Sequence, residues 1–64
     1  MVSEQPTRKV VRELRRAGFV PVRSRGSHTV YEKNSVTITI PDGHPVISPG
    51  VYRQVLKKIK EARG

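Results

Sequence analysis

Apolar residues recur along the chain with two different periods, and each change of period marks a new element. Val10, Leu14 and Ala17 follow at spacings of four and three, with Val11 beside them. That is one face of a 3.6-residue helix. Thr7 can cap a helix that begins at Arg8, and Gly18 can supply a left-handed stop. Phe19 to Arg23 then reads as a first strand. Pro21, which has no amide hydrogen, argues for a sheet edge or a bulge there. Ser24-Arg25-Gly26 reads as a turn and Ser27 to Lys33 as a second strand. Asn34-Ser35 makes a tight turn into Val36-Thr37-Ile38-Thr39-Ile40, apolar at every second residue.

That alternation sends Val36, Ile38 and Ile40 to the core and Thr37 and Thr39 away from it. In the second strand the larger apolar body, Tyr31, is expected inward. His28, Val30 and Glu32 then share the open face. After the turn-rich Pro41-Asp42-Gly43-His44-Pro45 segment, Val46 and Ile47 can fold back on the core. Ser48 as cap and Pro49 at the first position start a second helix. Its stripe is Val51, Val55, Ile59 and Ala62, widened by Tyr52 and Leu56. The order is α-β-β-β-α. Such a chain makes a two-layer α+β domain, with both helices on one face of a three-stranded antiparallel sheet.

Size limits what this fold can do. The chain has 64 residues, so one domain spanning 1–64 is expected, with Met1 to Pro6 as a short polar arm. A domain near 60 residues buries only roughly 60% of its unfolded surface, so a deep pocket is not expected. Its 13 Lys and Arg stand against 5 Asp and Glu, a net charge of +8. Such an excess points to a polyanionic partner, nucleic acid or an acidic protein. There is no cysteine, which removes disulfides and thiolate metal sites and suits a reducing cytoplasm. No membrane span or signal peptide is legible.

The glycines are too scattered for a phosphate-binding loop. With two histidines, His28 and His44, a metal site has too few ligands to be expected, and no cofactor is implied. What the residues permit is RNA cleavage by transfer. RNA carries its own nucleophile, the 2′-hydroxyl, beside the scissile phosphate. A histidine titrates near neutral pH and can serve either proton role. His28 follows Arg23 and Arg25 and precedes Lys33, cations that can hold phosphate. Ser27 can orient the histidine or bond the phosphate. On residue chemistry alone, His28 fits equally well as an ordinary strand residue of a non-catalytic RNA-binding module.

Gly18-Phe19, the run Arg23-Ser24-Arg25-Gly26-Ser27-His28, the strand Val36 to Ile40 closed by Pro41, and Ser48-Pro49-Gly50-Val51-Tyr52-Arg53 leading into Val55-Leu56-Lys57-Lys58 together resemble the HicA family of bacterial toxins. The likeness covers nearly the whole chain. It implies a fold similar to double-stranded-RNA-binding domains and an mRNA interferase that arrests translation and growth. It places His28 on the family's catalytic histidine. It also implies a HicB-type antitoxin partner that covers the site, and a free toxin that is a monomer. The chain departs from the pattern after Pro41. HicA-like chains often place a histidine soon after that proline, whereas His44 here follows an Asp-Gly loop, so no catalytic role is assigned to it.

Overall fold

Helix stops and turn residues set the architecture. The computed structural model describes residues 3–63. β1 (Gln5–Pro6) leads into α1 (Thr7–Arg16). Then come β2 (Val20–Arg25), β3 (His28–Lys33), β4 (Val36–Ile40), β5 (Val46–Ile47) and α2 (Pro49–Arg63). β2, β3 and β4 form an antiparallel sheet in that order, so β3 is central. The domain is α+β, as the pattern predicts.

One piece was not expected. Gln5 and Pro6 pair with Ile47 and Val46 in a second, two-stranded sheet. The expected polar arm is therefore partly a strand; its first two residues, Met1 and Val2, lie outside the described residues, as does Gly64. The same junction changes the role of Thr7. Pro6 is the N-cap of α1 and no side chain caps it. The Thr7 amide instead donates to the Pro45 carbonyl at 3.0 Å, and the Thr7 hydroxyl donates to the His44 carbonyl. A tertiary contact thus takes the groups that local chemistry assigns to a cap.

At the other end of α1, Gly18 has φ of +96°. The Gly18 amide bonds Arg15 O at 3.0 Å and the Phe19 amide bonds Leu14 O at 2.9 Å, the two bonds of a Schellman stop. The reversal turns Phe19 into the core, where it is 1% exposed. Burying a side chain of that size stabilises the fold by about 1.5–3 kcal/mol. α2 starts as expected, with Ser48 Oγ accepting the Val51 amide at 3.3 Å.

Residues of both helices enter one core with the inward residues of the sheet. Val10 and Leu14 from α1 and Val55 and Ala62 from α2 meet Phe19, Tyr31, Ile38, Ile40 and Ile47. Leu56, expected to widen the stripe of α2, is exposed instead.

Candidate active site

Two turns fix which side chains share the open face. Asn34 and Ser35 both have positive φ, 51° and 68°, the pairing that a tight hairpin needs. They lock β3 against β4 so that Val30 faces Thr39 and Tyr31 faces Ile38. In the first hairpin only Gly26 has positive φ, +60°. The turn is Gly26-Ser27, not the expected Ser24-Arg25-Gly26, because the glycine must occupy the loop and the strands then close up on either side of it. Arg25 therefore lies in β2, directly opposite His28.

β2 is an edge strand and is irregular between Pro21 and Arg23. Pro21 faces Tyr31 and Arg23 faces Val30, so Val22 is an extra residue, a β-bulge. Beyond the bulge, Arg23 and Arg25 share the face of His28. Directly opposed side chains in such a ladder have Cβ atoms about 4.5–5.5 Å apart. His28 is exposed, and Arg23, Ser24, Arg25, His28, Val30 and Thr39 line one open depression of about 590 Å³. Ser27 Oγ lies 3.4 Å from His28 Nδ1. It can hold an Nδ1 proton and leave Nε2 as the free acceptor.

The loop after β4 grips the chain on both sides of His28. The Gly43 amide donates to Ser27 O at 2.9 Å. Thr29 Oγ1 donates to Asp42 Oδ2 at 2.7 Å, and Ser24 Oγ lies 3.4 Å from Thr29 Oγ1. Thr29 is buried, so its hydroxyl needs that partner. The residues before and after the histidine are thus tied to adjacent residues of one loop.

Of the five residues singled out from sequence, the structure brings four together: Arg23, Arg25, Ser27 and His28. Lys33 is elsewhere. It stands five residues from His28 in β3, an odd number, so its side chain takes the opposite face. There Lys33 Nζ donates to Ala17 O at the C-terminal end of α1. The contact complements the helix dipole and makes Lys33 a structural residue. Sequence reading missed Ser24 and Thr39. Thr39 was legible in part, since its alternation already put it on the open face.

The other cations lie on the helices. Arg8, Lys9, Arg12, Arg15 and Arg16 are exposed on α1, and Arg53, Lys57, Lys60 and Arg63 on α2. Tyr52 links the helices by donating to Glu13, with both carboxylate oxygens 3.0 Å away. Burial, then that hydrogen bond and the Glu13 charge, raise the Tyr52 pKa above its usual value. Among the described residues, no three His, Asp or Glu side chains cluster as metal ligands.

Fold and site together define a small, strongly basic α+β domain that presents an exposed histidine beside two arginines of the neighbouring strand. The family model for the HicA toxin of bacterial toxin-antitoxin systems matches residues 7–61. No curated protein and no solved structure matches. The chain belongs to the HicA toxin family and is a toxin of a toxin–antitoxin pair, with an antitoxin as its partner. Among the described residues, no helix is long and apolar enough to cross a membrane.

Proposed function

We propose that this toxin is an mRNA interferase, a cytoplasmic endoribonuclease that cleaves RNA through His28 and so arrests translation and growth. One observation carries the reading. An exposed imidazole stands across the ladder from Arg25, with Arg23 on the same face, in a depression open to a long substrate. In the reaction the ribose 2′-hydroxyl attacks the adjacent phosphorus, and His28 takes its proton. The P–O5′ bond breaks and the 5′ oxygen is protonated by the imidazolium. The products are a 2′,3′-cyclic phosphate and a 5′-hydroxyl. Arg23 and Arg25 offset the charge that builds on the phosphate oxygens. Ser27 orients the imidazole. The substrate supplies the nucleophile, so the reading assigns no metal or cofactor a role.

The free toxin acts as a monomer. A HicB-type antitoxin neutralises it by covering the open face around His28. The test is His28→Ala, at an exposed position where stability should change by no more than about 0.5 kcal/mol. Losing a general acid–base should lower cleavage about 100-fold or more and abolish growth arrest. Full toxicity in that variant overturns the reading.

A second reading, RNA binding without cleavage, is favoured by where most of the positive charge lies. The helices carry nine exposed cations, whereas the face of His28 carries Arg23 and Arg25. Under that reading His28→Ala leaves affinity intact. Paired losses of helix cations then weaken binding and flatten its salt dependence.

A further inference from the structure

A second depression, of about 640 Å³, shares no lining residue with the one around His28. Pro6, Thr7, Arg8 and Val11 line it from the start of α1, Asp42 and Pro45 from the loop after β4, and Tyr31 from the sheet. Tyr31 is 3% exposed, and among the described residues its hydroxyl has no hydrogen-bond partner. No described polar side-chain atom is both fully buried and unpaired, so that oxygen keeps some exposure, and Tyr31 is one of the residues lining the depression. Burial first, then the charge of Asp42, raise the Tyr31 pKa, with Arg15 opposing them. The hydroxyl therefore keeps its proton and can donate it.

Asp42 adds an acceptor. Its Oδ2 takes the Thr29 hydroxyl, and among the described residues Oδ1 takes no hydrogen bond. At the rim, α1 has no acidic residue and no side-chain cap in its first turn. The Thr7 amide is taken by Pro45, and the next amides belong to the unpaired set of a helix start. Arg8 is exposed beside them. The lining thus combines a free carboxylate oxygen, close enough for its charge to act on Tyr31, with a hydroxyl donor and the apolar flanks of Pro6, Val11 and Pro45. The rim offers positive charge. A bare anion inside would meet the Asp42 carboxylate, so a phosphate belongs at the rim and a neutral, flat group inside. The volume is in the range of small-ligand pockets. Single-stranded RNA is read in this way, by splayed-out bases hydrogen-bonded along their edges.

We infer that this depression holds one RNA base bearing an exocyclic amino group, with its nucleotide's phosphate at Arg8 and the start of α1. The amino group donates to Asp42, and the neighbouring ring acceptor accepts a hydrogen bond from the Tyr31 hydroxyl. Adenine, cytosine and guanine have such a group; uracil does not. The assignment rests on RNA being the substrate and adds a nucleotide preference. The Asp42 loop also holds Ser27 and Thr29, so the base read here stands at a fixed offset from the cut.

The test is an NMR titration of the full chain carrying His28→Ala with cytidine or uridine 5′-monophosphate. The expected result is saturable shifts at Arg8, Val11 and Asp42, with uridine binding about tenfold more weakly, the discrimination of one good base contact. Asp42→Asn keeps an acceptor for Thr29 and should erase the preference. Tyr31→Phe keeps the buried ring and should weaken cytidine binding while preserving the spectrum of the fold. Equal binding of the two nucleotides, or shifts confined to other surfaces, overturns the inference. A cytidine preference in a wild-type chain that cuts no RNA sinks the nuclease reading alone. Normal cleavage with no nucleotide preference sinks the inference alone.

Discussion

Replacing Gly43 with alanine tests the claim that one loop holds His28 in place. Gly43 does not have positive φ, so its backbone does not demand glycine. The space does. A Cβ added there would lie 2.3 Å from Ser27 Cβ, 2.9 Å from Ser27 Cα and 3.3 Å from Ser27 O. Carbon atoms in contact sit about 3.5–4.0 Å apart, so the Ser27 Cβ must retreat by about 1.2 Å, from 2.3 to roughly 3.5 Å. The crowded atoms belong to the turn itself, and no side-chain rotation clears them. Overpacking of this kind costs about 1–3 kcal/mol. In a domain this small each kcal/mol lowers Tm by about 4–8 °C. The movement falls on the residue before His28, and a misplacement near 1 Å can cost about 100-fold in rate. Calorimetry should therefore show a lower Tm, and an oligoribonucleotide assay at a temperature where the variant is folded should show cleavage down about 100-fold. Gly26→Ala separates the two effects. Gly26 has φ of +60° and nothing within 4 Å of an added Cβ, so alanine there costs about 1–2 kcal/mol of backbone strain without pushing on the loop. If Gly43→Ala melts and cleaves like the wild type, the loop gives way freely and holds nothing.

Three further outcomes follow from the same contacts. Gly50→Ala, in the first turn of α2 with nothing within 4 Å and no positive φ, should raise stability by about 0.4–1 kcal/mol in urea melts; a loss would mean that the turn needs glycine for a reason other than space. Lys33→Ala should cost about 1 kcal/mol of stability by freeing Ala17 O, yet cleave RNA at the wild-type rate; a selective loss of cleavage would return Lys33 to the site. Tyr31 and Tyr52 both have raised pKa values, so the folded state keeps protons that the unfolded state releases near pH 10. Their contribution is whole below about pH 10 and is lost as pH rises through the higher folded values. Urea midpoints should fall over that window, and Tyr52→Phe should flatten the fall.

How much of this was legible depends on how local each determinant is. The Gly18 stop, the Ser48 cap and the alternation of Val36 to Ile40 are set by residues within one turn or strand, and each takes the predicted form. The inward placing of Tyr31 follows from size and period and puts His28 on the open face. β1 and β5 are two residues each, too short to carry a period, and their pairing joins positions about forty apart in the chain. The grip of Asp42 and Gly43 on Thr29 and Ser27 also reaches beyond any one turn or strand. Lys33 is different. Once Tyr31 is inward, parity alone sends Lys33 inward too; grouping it with His28 by closeness in sequence ignored the strand's period of two.

The same period explains why the bulge matters more than any single arginine. Val20 faces Glu32 and lies on the open side; Pro21 faces Tyr31 and lies on the core side. With an unbroken ladder, Val22 would face Val30 and Arg23 would face Thr29, turning its guanidinium toward the core. Ser24, not Arg25, would then stand opposite His28. The extra residue at Val22 reverses the alternation, and from there Arg23 and Arg25 fall in line with the histidine. The reversal is tolerated because β2 is an edge strand, and an edge is where a proline's missing donor costs the ladder least. Val20 and Val22 stay outside the core, 55% and 51% exposed. A regular strand would present fewer cations beside the imidazole. The bulge at Val20-Pro21-Val22 therefore serves the placing of two charges, which makes sense only if those charges meet something on the open face.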